Sequence, residues 1–238
     1  MLTALKIFRQ QISRYKPKGM AASPYKYFFK WRKSLIGDAN SVKDELPWIT
    51  FQAIEYLEKR INANSKVFEY GGGGSTLFFL KHKTKVFTVE HDEGWFKKLE
   101  EIIKEKKYPD WKGFFIKAQE GHFVNNPDPA DPLHYATADE TYKKTHFKNY
   151  VSAIDEFENE FFDVVLVDGR ARSSCIHHAL PKIKKNGLLV LDNSDREYYL
   201  TKTLPEINKH FTKVIGDYAP SPYSKDFTHT IIWIRNKE

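Results

Sequence analysis

A strand-length run, Val67-Phe68-Glu69-Tyr70, leads straight into four consecutive glycines, Gly71 to Gly74, and then into Ser75-Thr76. Glycines at such a place let the backbone take positive φ and approach a ligand closely. The segment therefore reads as strand, tight turn and helix, with the turn at the strand's carboxyl end. Its neighbours exclude two common uses of such a turn. A phosphate loop needs Gly-Lys-Ser/Thr, and none follows. A dinucleotide turn, G-x-G-x-x-G, would put its third glycine at Thr76, and Glu69 ahead of the turn is an acid badly placed beside a pyrophosphate. Acid-x-Gly-x-Gly suits a cationic ligand without phosphate.

The rest of the chain repeats the alternation. Trp48, Phe51, Ile54, Leu57 and Ile61 form a helical stripe behind Pro47, which suits a first turn. Strands are predicted at 66–70, 85–91, 113–119, 162–168, 187–193, 212–218 and 229–235. Helices are predicted at 75–82, 93–106, 149–160, 172–185 and 196–211. This order implies an α/β fold with a doubly wound, mostly parallel sheet. One long irregular stretch, 121–145, holds Pro127, Pro129 and Pro132 and is a candidate substrate lid. The longest apolar runs, 164–167 and 188–191, are strand-length, far below the roughly 18 residues of a membrane span. With Cys175 as the lone cysteine, an intramolecular disulfide and a cysteine zinc site are excluded, and a cytoplasmic setting is the default expectation.

The charge is uneven. Residues 1–33 carry nine basic side chains and no acid, so this +9 against a total of +7 leaves −2 for residues 34–238. The chain thus divides into a basic, aromatic-rich helical arm, 1–46, and a body, 47–238. Leu2, Leu5, Phe8 and Ile12 share one helical face of the arm. That stripe fits packing on the body, or peripheral contact with anionic lipid. The same charge keeps open a nucleic-acid partner.

Open α/β sheets bind ligands beyond the carboxyl ends of their strands. Glu90, 21 residues after Glu69, follows the second strand, at the spacing where an acid meets ribose hydroxyls. Gln119 and Glu120 end the third predicted strand, and Asp168 ends the fourth. In this order the residues resemble class I S-adenosylmethionine-dependent methyltransferases, over roughly residues 66–235, and are similar to the branch acting on small molecules or glycans. The resemblance implies a seven-stranded Rossmann-like sheet whose last strand is antiparallel. It also implies that Gly71 and Gly73 pass beneath the methionine part of the cofactor, with Tyr70, Ser75 and Thr76 around them. Glu69 would order the turn and meet the amino group, directly or through water. Glu90 would hold the ribose, His91 would lie against the adenine, and Gln119 or Glu120 would face its amine. Asp168 would sit near the sulfonium.

The acceptor is narrowed by what is missing. Asp168-Gly169-Arg170-Ala171 stands where a DNA amine enzyme would carry Asn/Asp-Pro-Pro-Tyr, and Cys175 lacks a Pro-Cys context. A hydroxyl of a small molecule or glycan is the expected acceptor. RNA modification through the arm and a catalytically silent scaffold are the alternatives. Asp168 with Asp192-Asn193 resembles the magnesium set of catechol-type O-methyltransferases; hard oxygens suit Mg²⁺, yet Asp-Asn also ends strands and caps helices. Without metal, a histidine base is needed, and His122 is the best placed to work beside Asp168. Arg170 and Arg172 could grip an anionic group on the acceptor, and Tyr135 lies on the lid.

Overall fold

The computed structural model describes residues 2–237. Its main sheet has seven strands: β1 (Lys66–Tyr70), β2 (Lys85–Glu90), β3 (Trp111–Phe115), β4 (Phe162–Val167), β5 (Ile183–Leu191), β6 (Phe211–Ile215) and β7 (Ile231–Arg235). They lie in the order β3-β2-β1-β4-β5-β7-β6. The first five are parallel, and β7 runs antiparallel to both β5 and β6. The chain winds outward from β1 to β3, then returns and winds the other way from β4. The reversal leaves a crevice beyond the carboxyl ends of β1 and β4.

Alternation along the strands explains why both faces are covered. Val67, Val164, Leu166, Leu188 and Val190 belong to one buried cluster, while Phe68, Val165, Val167, Leu189 and Leu191 belong to the other. A strand apolar on both faces needs helices on both. Helices α1 (Leu2–Tyr15), α2 (Phe28–Ser34), α3 (Ser41–Asp44), α4 (Phe51–Arg60), α5 (Gly74–Lys81) and α6 (Glu93–Glu105) precede β3. Helices α7 (Lys148–Ser152), α8 (Arg172–Ala179) and α9 (Leu204–His210) follow it.

The basic arm is woven into the first cluster. Phe8 and Trp31 are fully buried there beside Phe51 and Leu57. Phe8 packs its ring 5.0 Å from that of Phe227, and Tyr15 stacks 4.5 Å from Tyr218. Trp31 Nε1 donates to the Ser224 carbonyl at 2.7 Å, and Ala21 N donates to that of Tyr218 at 3.1 Å.

Several boundaries differ from the expectations. The third strand ends at Phe115, and Gln119–Glu120 instead pairs with Thr145–His146 in a separate ribbon. The helix expected at 149–160 is one short α-helix followed by a 3-10 turn. The helix expected at 172–185 stops at Ala179, because Pro181 enters a 3-10 turn and β5 begins at Ile183. The helix expected at 196–211 starts only at Leu204, where Pro205 lacks the N–H a longer helix would need.

Candidate active site

Three strand-end turns are laced together at the crevice. Gly71 N donates to Val89 O at 2.9 Å, and Asp168 N donates to Tyr70 O at 3.1 Å. Gly71 sits at φ +89°, and a Cβ there would lie 3.1 Å from Gly169 Cα, so the turns after β1 and β4 touch through glycines. Gly72 and Gly74 are also hemmed in, by Leu99 and by the Ser41 carbonyl. Gly73 differs: its φ of 166° is extended, and the nearest atom to an added Cβ is on Trp95, 3.8 Å away. Packing inside the protein therefore gives no reason for a glycine at position 73.

Acids brace this turn from below and from the side. Glu69 is fully buried; its oxygens accept from Ser75 Oγ and Thr88 Oγ1, each at 2.7 Å. Burial pushes its carboxyl up to about 7, against the pull of the hydroxyls of Thr76, Ser75 and Thr88. Glu69 thus braces the turn, and its full burial leaves no exposed carboxylate edge for the direct one of the two expected contacts. Tyr70 likewise turns inward, its hydroxyl donating to Val151 O at 2.7 Å, and Thr76 Oγ1 accepts from Gly73 N at 2.9 Å.

Glu90 is held from three sides. Its carboxylate accepts from the amides of Gly72 (3.0 Å), His91 (2.6 Å) and Asp92 (2.9 Å). Burial opposes its charge, but the His91 ring and these amides outweigh it and keep Glu90 below the usual carboxylate range. His91 Nδ1 stands 2.7 Å from Glu90 Oε1, and its ring sits edge-on among Tyr142, Phe147 and Tyr150. Trp95, which the sequence reading passed over, donates from Nε1 to Gly72 O at 2.7 Å. Its signal was Asp92, whose Oδ1 accepts Trp95 N as the cap of α6.

Gln119 and Glu120 lie in the side ribbon, where Gln119 Oε1 accepts Asn149 N at 2.9 Å. The acceptor residues also sort differently from expectation. Arg172 is buried, and its guanidinium donates to Gly169 O, Asp168 O, Asp168 Oδ1 and Asp192 O. An arginine so used ties the ends of β4 and β5 together, with four of its five N–H donors committed inside the protein. Tyr135 is packed against Phe123 and His178 at φ +53° and anchors the loop from inside. Arg170 stays half-open, 3.2 Å from Asp139 on the loop. His122 is exposed and lines a cavity of about 440 Å³ formed by the loop itself, with Pro127, Asp139 and Tyr142; Asp168 does not line it.

The magnesium set is not assembled. The Arg172 guanidinium already bridges Asp168 and the Asp192 carbonyl, putting a fixed cation between the proposed ligands. Asp192 Oδ1 accepts Thr230 Oγ1 at 2.8 Å, and burial, with Asp168 nearby, pushes its carboxyl up to about 7. Asn193 takes a left-handed φ of +46°. Among the described residues no three His, Cys, Asp or Glu side chains gather as metal ligands. Mg²⁺ does not fit these residues.

No family model matches the chain, and no curated protein matches it in sequence. The fold does match solved structures. An rRNA methylase from Streptococcus thermophilus is 12% identical, with a TM-score of 0.53 over 78% of this chain and 95% of that one. A methyltransferase from Geobacter sulfurreducens is 12% identical, with a TM-score of 0.52 over 89% of this chain and 96% of the other. A Streptococcus mutans protein solved in complex with SAH is 12% identical, with a TM-score of 0.52 over 77% and 96%. At such identities the likeness is one of fold: this chain has the Rossmann-like α/β fold seen in methyltransferases.

Proposed function

We propose that this protein transfers a methyl group from S-adenosylmethionine to a hydroxyl of a small molecule or glycan. The observation that carries the reading is Gly73, where an added Cβ would meet nothing nearer than Trp95 at 3.8 Å, in a turn otherwise fixed by its neighbours. Gly71 and Gly73 would pass beneath the methionine part of the cofactor, Glu90 would meet the ribose, and His91 with Tyr142 would border the adenine. Bound there, the cofactor supplies an electrophilic methyl group on a sulfonium.

The chain's own residues would align the acceptor and take its proton. Asp168 stands at the end of β4 with its side chain 30% exposed and Arg172 fixing Oδ1 at 2.9 Å, which leaves its open edge to receive that proton. A cysteine nucleophile is unavailable: Cys175 is fully buried, and burial pushes its thiol well up. Since the Asp168, Asp192 and Asn193 set does not suit Mg²⁺, activity is expected to survive excess EDTA.

Calorimetric titration with S-adenosylhomocysteine tests the reading. Binding on the order of micromolar is expected, weakened at least about tenfold by Gly73→Ala or Glu90→Ala. Gly73→Ala has room for its Cβ, so its melting temperature should stay near that of the parent. A well-folded parent protein that binds nothing would sink the assignment.

A further inference from the structure

Docking of the arm leaves part of its apolar surface outside. Of the ten large hydrophobic side chains exposed among the described residues, four fall in the first 36: Leu2 (85%), Tyr25 (52%), Phe29 (70%) and Ile36 (55%). Scattered exposed hydrophobics need no explanation, but these are concentrated. Tyr25 lies in the 3-10 turn Pro24–Tyr27 that leads into α2, Phe29 in α2 four residues on, and Ile36 two residues past its end at Ser34. Tyr27, Phe28 and Trp31 of the same segment are buried. The Tyr25 ring lies 5.7 Å from that of Phe8, so this segment adjoins α1.

The stripe expected to meet lipid, Leu2 to Ile12, is therefore not the one left free: Phe8 is in the core, and Leu5 and Ile12 are half-buried against it. The charges that residues 1–33 carry are of one sign, whereas Ile36 shares a cavity with Asp38, Asp44, Glu55 and Glu58. Arg14, Lys26 and Lys30 have acidic partners, in Asp226 and Glu55. Lys6, Arg9, Lys16, Lys18, Arg32 and Lys33 have no carboxylate within ion-pair distance among the described residues. Leu2, Lys6 and Arg9 line one shallow groove on the outside of α1.

We propose that the outer surface of the docked arm, with Leu2, Tyr25 and Phe29 set among unpaired Lys and Arg side chains, docks on an anionic lipid bilayer surface. Apolar tips entering the headgroup boundary, with cations beside them, are what such a surface binds. An RNA partner would use the charges but leaves Leu2 without a role, since an aliphatic side chain neither stacks on bases nor meets phosphates.

The test is co-sedimentation of the full-length protein with vesicles of phosphatidylcholine alone or with roughly a third phosphatidylglycerol. Expected is binding at least about tenfold tighter to the anionic vesicles, weakening as salt is raised. Leu2→Glu with Phe29→Glu, and separately Lys6→Glu with Arg9→Glu, should each reduce it about tenfold or more without moving the melting temperature, because all four side chains are exposed. Equal binding to both vesicles, none to either, or no response to the variants would overturn the proposal. So would salt-sensitive binding to RNA by a protein that ignores vesicles.

Discussion

Glu69 and Asp192 are carboxylic acids that folding makes hard to ionise, and each leaves a trace in the pH dependence of stability. Their ordinary values are 4.5 and 3.8, and in the folded protein both are pushed up to about 7 by burial. A raised value means that the folded state keeps a proton the unfolded chain releases. Their contribution is thus fully present below about pH 4 and is lost as the pH rises through about 7. Glu90, held below its ordinary 4.5, acts in the opposite direction but at more acid pH. Urea unfolding should therefore show stability falling by a few kcal/mol between about pH 5 and pH 8. Glu69→Gln should remove on the order of half of that slope. A wild-type profile that rises over this range would contradict the buried, protonated carboxyl. Much of this site is legible from short-range sequence: Glu69, Gly71, Gly73, Glu90 and Asp168 all stand at the expected strand ends. Which way each points is not, because that depends on partners far along the chain. Arg172 looks free beside Asp168 until β5 brings the Asp192 carbonyl against it. Thr88 becomes the partner of Glu69 only through the register of β1 with β2.

At the scale of elements, the 121–145 loop is tied to the body by a few latches. Asp139 pairs with Arg170 at 3.2 Å, and the Arg170 guanidinium lies 5.6 Å from the centre of the Tyr142 ring, which in turn packs on His91. Lys202 holds Asp128 and Asp131 at 3.1 and 2.7 Å, and Ser173 Oγ donates to Pro129 O at 2.8 Å. Partly exposed pairs of this kind contribute up to about 1 kcal/mol each. That is too little to fix the fold and enough to bias a loop between two positions. Asp139→Asn should leave the melting temperature nearly unchanged while limited proteolysis cuts the loop several-fold faster. If cutting does not accelerate, the ion pair is not what holds the loop. The prolines and irregular stretch mark this segment in the sequence, whereas its latches lie on α8 and near α9. The element boundaries were misread for a related reason. Periodicity runs on through 172–185 and 196–211, but Pro181 and Pro205 interrupt the hydrogen bonding that periodicity presumes.

At the scale of the whole molecule, the arm's charge and its packing point in different directions, and packing decides what happens if it is removed. Judged by charge, residues 1–33 are an appendage: +9 on a body of −2. In the structure the same segment fills the first buried cluster, with Phe8, Tyr27, Phe28 and Trp31 against Phe51, Leu57 and Phe227. The arm's apolar stripe points to packing on the body but not to where, because its partners Tyr218, Ser224 and Phe227 stand some two hundred residues later. A large buried aromatic cut back to alanine costs about 3–5 kcal/mol, against a total stability of about 5–15 kcal/mol. Trp31→Ala also removes the hydrogen bond to the Ser224 carbonyl and should bring the protein near the edge of folding, seen as a clear fall in the urea midpoint. Deleting residues 1–33 strips several such side chains at once and is expected to give a chain that aggregates or unfolds rather than a trimmed domain. A deletion variant with an unchanged urea midpoint would mean that the body is complete without the arm. Loss of binding by a truncated protein is therefore no measure of what the arm binds; charge reversals on its exposed face are, because they leave the buried side intact.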